Sequence, residues 1–229
     1  MVVALQNEAR TLLPRGDLLR SATLAIGTSL ALRLCGMGPE KAAAAARALL
    51  ADGATALVSY GLAGALAPEL APGTLLLPER VAFRGEDRVV DLSWRQRIEQ
   101  RLSPRPSGGL LLTLPQPLTT AADKARVHRE TGADAVDMES GAVLEAAAAA
   151  GVPALVLRAV VDGAATSLPQ AAVAGVDAYG RPRAAPLLRA LLRRPREIGD
   201  LLRLGSDLRL ALSSLKRAWS QLGAEGLAA

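Results

Sequence analysis

The chain has 229 residues, half of them apolar, with a formal net charge of +5 and a mean hydropathy of +0.23. That fits one large domain or two small ones with a sizeable core and argues against a disordered chain. Only 2% of residues are aromatic, namely Tyr60, Phe83, Trp94, Tyr179 and Trp219, so no nucleic-acid partner held by stacked aromatics is expected.

In chain order, residues 1–5 form a short apolar run. Glu8 and Arg10 follow at once, so no secretory leader is expected. Residues 30–34 are a second strand-like run. The turn Cys35-Gly36-Met37-Gly38-Pro39 leads into an Ala-rich helix over 39–50, with Pro39 in its first turn. Amides at such a helix start can hold an anion or ribose oxygens. A tight turn is the plainer reading, because no third Gly of a dinucleotide fingerprint and no Gly-Lys-Ser is present. Cys35 is the sole cysteine, which excludes an intrachain disulfide and a zinc knuckle, and it reads as a small buried residue. Residues 55–59 read as a buried strand ending at Gly61. The stretch Ser59-Tyr60-Gly61-Leu62-Ala63-Gly64 lets backbone approach a ligand closely.

Strands are also expected at 74–77, after a Pro-Gly turn, and at 110–114. Residues 121–130 form a helix with Lys and Arg on one side. His128 lies there beside Arg126, Arg129 and Glu130 and reads as part of a solvated face. It is the only histidine, which excludes a histidine metal cluster. Residues 133–138 are strand-like, 140–150 are a helix stopped by Gly151, and 154–161 are a clean apolar strand. This alternation argues an α/β fold with a mixed, mainly parallel sheet.

The strongest local arrangement spans 134–164 and reads strand, helix, strand. Two parallel strands joined this way end on one edge of a sheet. Glu139 follows the first strand and Asp162 the second, so both could face one crevice, where open α/β sheets bind ligands. Two carboxylates there can divide roles, one holding hydroxyls and one giving a proton. The alternative is that each caps the segment that follows it. Glu8, just past the first strand, could be a third carboxylate at the same edge.

Residues 181–229 hold ten Arg and Lys against four Asp and Glu, whereas the rest is nearly neutral. Ile198, Leu201, Leu208, Leu212, Leu215, Trp219 and Leu222 recur at three- and four-residue steps, with Arg203, Arg209, Lys216 and Arg217 to one side. Such a basic amphipathic helix suggests a membrane surface, or else a helix packed on the body or across a dimer. We read 1–229 as one domain, with 181–229 as its helical extension. No window offers about 20 uninterrupted apolar residues; 146–157 is short and holds Gly151 and Pro153. A cytoplasmic location is expected.

ALQNEARTL, GMGPEKAAAA, VSYGLAGALAPELAPGTLLLPE, AVDMES and LRAVVDGA resemble, in order and spacing, the nucleoside phosphorylase superfamily, and within it the methylthioadenosine/S-adenosylhomocysteine nucleosidases. The resemblance covers about residues 1–165 and implies a three-layer fold with a central twisted sheet flanked by helices. The later stretch TSLPQAAVAGVDAYGRPRAAPLLRALLRRP resembles the hopanoid-associated phosphorylases, bacterial proteins proposed to remove adenine from adenosylhopane. By resemblance, Glu8 activates the attacking water, Met138 and Glu139 hold the ribose, and Asp162 protonates purine N7. Gly36, Gly38, Gly61, Leu62, Ala63 and Gly64, from the two glycine-containing stretches after strands, are expected to line the substrate. The family's Ser before that Asp is Val161 here, and its aromatic over the purine falls near 118–120, where none exists. Tyr60 and Phe83 are candidates to replace it.

Phosphorylases of the superfamily place an arginine shortly before the position of Gly61, where this chain has Ser59 and Tyr60. Glu8 would also repel a phosphate dianion. Water is therefore the expected nucleophile, with phosphate as the alternative co-substrate, and neither a cofactor nor a metal is expected. The resemblance implies a lipid-linked adenine nucleoside as substrate; a homodimer is expected, and the basic, Leu-rich tail suggests peripheral contact with the inner membrane face through the C-terminal helix. Two other readings stand beside it: a soluble methylthioadenosine/S-adenosylhomocysteine nucleosidase, and a non-catalytic nucleoside-binding module at the membrane.

Overall fold

A computed structural model describes residues 1–13 and 23–229. Two nine-residue strands form its axis, β4 (Leu57–Ala65) and β10 (Ala154–Asp162). They pair in parallel from Leu57 opposite Ala154 to Gly64 opposite Asp162, with a register shift between Val160 and Asp162. Their near-continuous apolar sequences suit strands buried on both faces. β1 (Val2–Val3) lies along β4 on the other side, followed outward by β3 (Leu30–Leu34) and β2 (Thr23–Ile26). Beyond the far end of β4 the sheet continues through β9 (Ala135–Asp137), β8 (Leu110–Thr113), β6 (Arg80–Phe83) and β7 (Glu86–Val89), and β5 (Leu75–Leu76) joins β10. Five of the nine strand pairings among the described residues are parallel, so the sheet is mixed and mainly parallel.

Two expectations need correction. The strand expected to end at Gly61 does not end there, because β4 runs straight through Gly61 and Gly64. The 134–164 segment is not a parallel βαβ unit either. Both of its strands pair with β4, β9 antiparallel and β10 parallel. Val136 and Asp162 lie opposite the same Gly64, and β9 then runs back toward Gly61. Glu139 and Asp162 therefore come to β4 from opposite directions.

One face of the sheet is covered by α2 (Pro39–Ala51) and α5 (Ser140–Ala150). Ala42, Ala45 and Ala46 of α2 meet Ala142, Ala146 and Ala147 of α5 in one core cluster, and their small side chains let the helices approach closely. The other face carries α1 (Gln6–Leu12), α3 (Leu92–Arg101) and the long α8 (Ile198–Leu227). α4 (Ala121–Thr131) packs at the far end over β8 and β9. The short α6 (Gln170–Ala174) and α7 (Ala184–Arg193) precede α8.

The expected free apolar face of the tail is largely a packed one. Ala211, Leu215, Ala218 and Leu222, spaced four, three and four residues apart, are buried against the sheet, and Leu212 and Trp219 pack beside them. The exposed large apolar residues lie earlier: Leu188 (60%) and Leu192 (76%) on α7, Ile198, Leu202 (71%) and Leu210 on α8. No helix among the described residues is long and apolar enough to cross a membrane.

Candidate active site

Arg158 stands in the middle of apolar β10 and is 1% exposed. Its Nη2 lies 2.8 Å from Asp137 Oδ2 and 3.7 Å from Glu139 Oε2, and donates to Ser59 Oγ at 2.7 Å. Asp137 is itself fixed: its Oδ1 accepts from Thr113 Oγ1 (2.6 Å) and its Oδ2 from the Ser140 amide (3.0 Å). A buried charge persists only when paired and hydrogen-bonded in this way. Burial opposes the guanidinium charge, but Asp137, Glu139 and Glu8 outweigh it and shift the group up.

Glu8, in the first turn of α1, is buried beside this cation. Its Oε2 accepts from the Leu5 amide and its Oε1 from the Leu62 amide, each at 2.8 Å. A Cβ on Gly61 would stand 2.5 Å from both Glu8 Oε1 and Arg158 Nη1, so only glycine lets the two groups close on β4. Burial raises the Glu8 carboxyl above its ordinary range, although Arg158 and the backbone amides oppose it.

Glu139, next after Met138 beyond the end of β9, turns its Oε1 to the Gly38 amide at 3.0 Å. The turn after β3 is thus already committed. Gly36 N–H donates to Ala4 O (3.0 Å), Met37 N–H to Ala178 O (2.7 Å), and Gly38 N–H to Glu139. These amides hold the protein together and orient a carboxylate, so the anion-holding expectation is replaced by an indirect one. Burial, then the Asp137 and Glu8 charges, push Glu139 up to about 7 against the pull of Arg158 and Gly38.

Asp162 sits past the register shift at the end of β10, buried, with its Oδ2 on Lys124 Nζ of α4. Gly64 faces it, and a Cβ there would be 3.3 Å from Asp162 Oδ1. Burial raises the Asp162 carboxyl, Lys124 lowers it, and the Asp207 charge on α8 raises it further.

Glu8, Glu139, Gly38, Gly61 and Leu62 thus converge on Arg158, and Asp162 and Gly64 stand farther along the two strands. Met138 is half-buried between Asp137 and Glu139. Ala63 is a core residue opposite Val160, not a crevice residue. Neither proposed aromatic contacts Glu8, Glu139 or Asp162. The Tyr60 hydroxyl lies 2.7 Å from Thr11 Oγ1 and donates to Leu215 O (3.1 Å) in the opposite core. Phe83 packs so tightly on Gly141 that a Cβ there would overlap it. Tyr179 instead lies against Gly36, in the turn that orients Glu139. His128 is half-buried, with its Nδ1 2.8 Å from Ala133 O at the end of α4, and takes no part.

Residues 8–193 match the family described as the phosphorylase superfamily. The chain belongs to the phosphorylase superfamily. A 5'-methylthioadenosine/S-adenosylhomocysteine nucleosidase of Mycobacterium tuberculosis is 30% identical, the match covering 57% of this chain and 68% of that protein. Among solved structures, the nucleosidase of that name from Neisseria meningitidis, in complex with methylthio-immucillin-A, is similar over 96% of this chain and 95% of its own, with TM-score 0.69 and 15% identity. Futalosine hydrolase of Helicobacter pylori is similar over 96% of each chain, with TM-score 0.65 and 15% identity.

Two cations of the candidate site escaped the sequence reading, Arg158 and Lys124. The first had a signal: an arginine inside an eight-residue apolar strand must be buried and must find carboxylates. The second had none, because Lys124 lies among Lys and Arg residues that look uniformly solvated.

Proposed function

We propose that this protein hydrolyses the N-glycosidic bond of an adenine nucleoside. The observation that carries the reading is the convergence of Glu8 and Glu139 on one buried arginine, with Asp162 at a separate place along the same strands. A purine anion leaves poorly, so a positioned acid contributes about 10²–10⁴-fold. Asp162 gives its proton to N7 as the C1'–N9 bond breaks. The sugar gains oxocarbenium character, as in other glycoside cleavage. Glu139 accepts hydrogen bonds from the ribose hydroxyls, which strengthen as the ring charges. Met138 offers an apolar surface to the sugar. Glu8 takes a proton from the attacking water, and the burial that raises its pKa makes it a stronger base than a free carboxylate.

Charge supports water over phosphate. Arg158 is already matched by Asp137 and Glu139, with Glu8 beside it. A phosphate dianion would meet an excess of carboxylates in a buried site.

We further infer a lipid-linked nucleoside, adenosylhopane, presented at an anionic bilayer. The hopanoid-branch resemblance of 166–195 supports it. So does the exposed apolar set Leu188, Leu192, Ile198 and Leu202 beside Arg189, Arg193 and Arg196, an arrangement that suits a helix lying in a membrane interface. This stretch is tied to the crevice: Leu168 N–H donates to Thr119 O (2.8 Å), and Ala178 O accepts from Met37 in the turn that orients Glu139. The soluble alternative, methylthioadenosine or S-adenosylhomocysteine, is favoured by the mycobacterial relative. Adenine release from vesicle-embedded adenosylhopane and from soluble methylthioadenosine tests the two together. Faster turnover of the lipid supports the first, exclusive turnover of the soluble nucleoside supports the second, and no adenine from either refutes the reading.

A further inference from the structure

Lys124 is 1% exposed, and its Nζ has three protein acceptors. They are Asp162 Oδ2, Gly163 O (2.9 Å) and Thr166 O (3.0 Å). An ammonium has three protons, so none is left over for a ligand. Asp162 Oδ1, by contrast, receives no donor among the described residues and lies 3.3 Å from where a Cβ on Gly64 would stand. The residue before Asp162 is Val161, which offers no hydroxyl to steady the carboxylate. A buried Lys–Asp pair is also a poor stabilising device, since apolar residues of similar volume serve as well or better.

We propose that Lys124 is a positioning residue for the acid: by occupying Oδ2 it directs Oδ1 to the purine, and it stabilises the carboxylate left behind when the proton departs. The inference rests on the reading of Asp162 as the proton donor. In the step itself, the Oδ1 proton moves to N7 and the C1'–N9 electron pair passes to the purine. The water oxygen bonds to C1' while its proton goes to Glu8. Asp162 ends as a carboxylate against the Lys124 ammonium and regains a proton from solvent. Three influences bear on Asp162: burial, Lys124 from α4, and Asp207 from α8. Only Lys124 favours the ionised form.

The test compares wild type with Lys124→Met and Lys124→Gln on two substrates. One is an adenine nucleoside. The other is a p-nitrophenyl riboside, whose phenolate leaves without a proton. Both variants should lose about 10²-fold in kcat/KM on the nucleoside and stay within about threefold of wild type on the riboside. Activity requires protonated Asp162, so it falls as pH rises through that group's pKa. Removing the cation raises that pKa, and the alkaline limb of the nucleoside profile should move to higher pH. Equal losses on both substrates with an unmoved limb would make Lys124 merely structural and overturn the inference, as would unchanged activity on both. If one variant fails to fold, judged by its melting transition, the other carries the comparison. A wild type inert on both substrates would instead overturn the nucleosidase reading, and this inference with it.

Discussion

Glu139 and Gly38, 101 residues apart in sequence, are joined by a 3.0 Å hydrogen bond from the Gly38 amide to Glu139 Oε1. The bond ties the start of α2 to the start of α5 and fixes the carboxylate next to Arg158. Gly38 has φ +111 and ψ 152, a conformation that is essentially glycine-only.

Gly38→Ala should therefore release Glu139 through backbone strain, not through a clash, since a Cβ there meets nothing within 4 Å. The strain costs about 1–3 kcal/mol. We expect a clear fall in melting temperature and roughly a tenfold rise in KM for the nucleoside, with kcat changed less. Steady-state kinetics with a melting curve checks both; an unchanged KM would detach Glu139 from ribose binding.

The Glu139 carboxyl, near 7, gives activity and stability opposite slopes in pH. If Glu139 holds the ribose as proposed, binding needs the carboxylate, so kcat/KM should fall as pH drops through about 7. Stability behaves the other way. A carboxyl whose folded pKa exceeds its unfolded value, about 4.3, contributes stability below that value and loses it as pH rises through the folded pKa. Relative to Glu139→Gln, the melting temperature of wild type should therefore decline between about pH 4.5 and 7.5; the comparison cancels the buried Met1 ammonium, which is held down to about 5 and acts in the opposite sense. Thermal unfolding across this range checks it.

Arg158→Met should destabilise the fold by about 3–5 kcal/mol, because Asp137 is left as an uncompensated buried charge. The double variant Arg158→Met with Asp137→Asn should recover much of the loss, giving a large coupling between the two positions. Denaturant unfolding of Arg158→Met, Asp137→Asn and the double variant checks it, and additive effects would contradict a direct pair.

Replacing Leu188, Leu192 and Leu202 together by Ser should leave the melting temperature within about 2 °C, since all three are exposed. The same variant should sediment less with anionic vesicles and turn over less vesicle-embedded substrate, with soluble nucleoside unaffected. Loss of a dimer with unchanged vesicle binding would reassign this face to a second copy.

The elements were legible in the sequence wherever period and punctuation agreed. The strand at 30–34 and the helix at 140–150 appear with the bounds expected, and the helix beginning at Pro39 ends one residue beyond them. β4 was cut short at Gly61 because glycine usually interrupts a strand. Here Glu8 and Arg158 occupy the space of its missing side chain. The direction of β9 could not be read from a helical crossover, since a neighbour that is not consecutive in sequence decides it. The tail's apolar stripe was correctly periodic, but periodicity does not say what covers a stripe, and the sheet covers most of this one. Glu8, Glu139 and Asp162 were found as isolated carboxylates. Their mutual geometry depends on Arg158 and Lys124, whose burial is a tertiary fact.

The most direct measurement of the central claim is the fate of the sugar in phosphate-free buffer made with ¹⁸O-labelled water, using methylthioadenosine and adenosylhopane as substrates. The account predicts stoichiometric free adenine with the label on C1' of the released sugar, and nearly none of either with Asp162→Asn. Adenine release that requires phosphate and yields a sugar 1-phosphate without label, or no adenine at all from the wild-type protein, would contradict it.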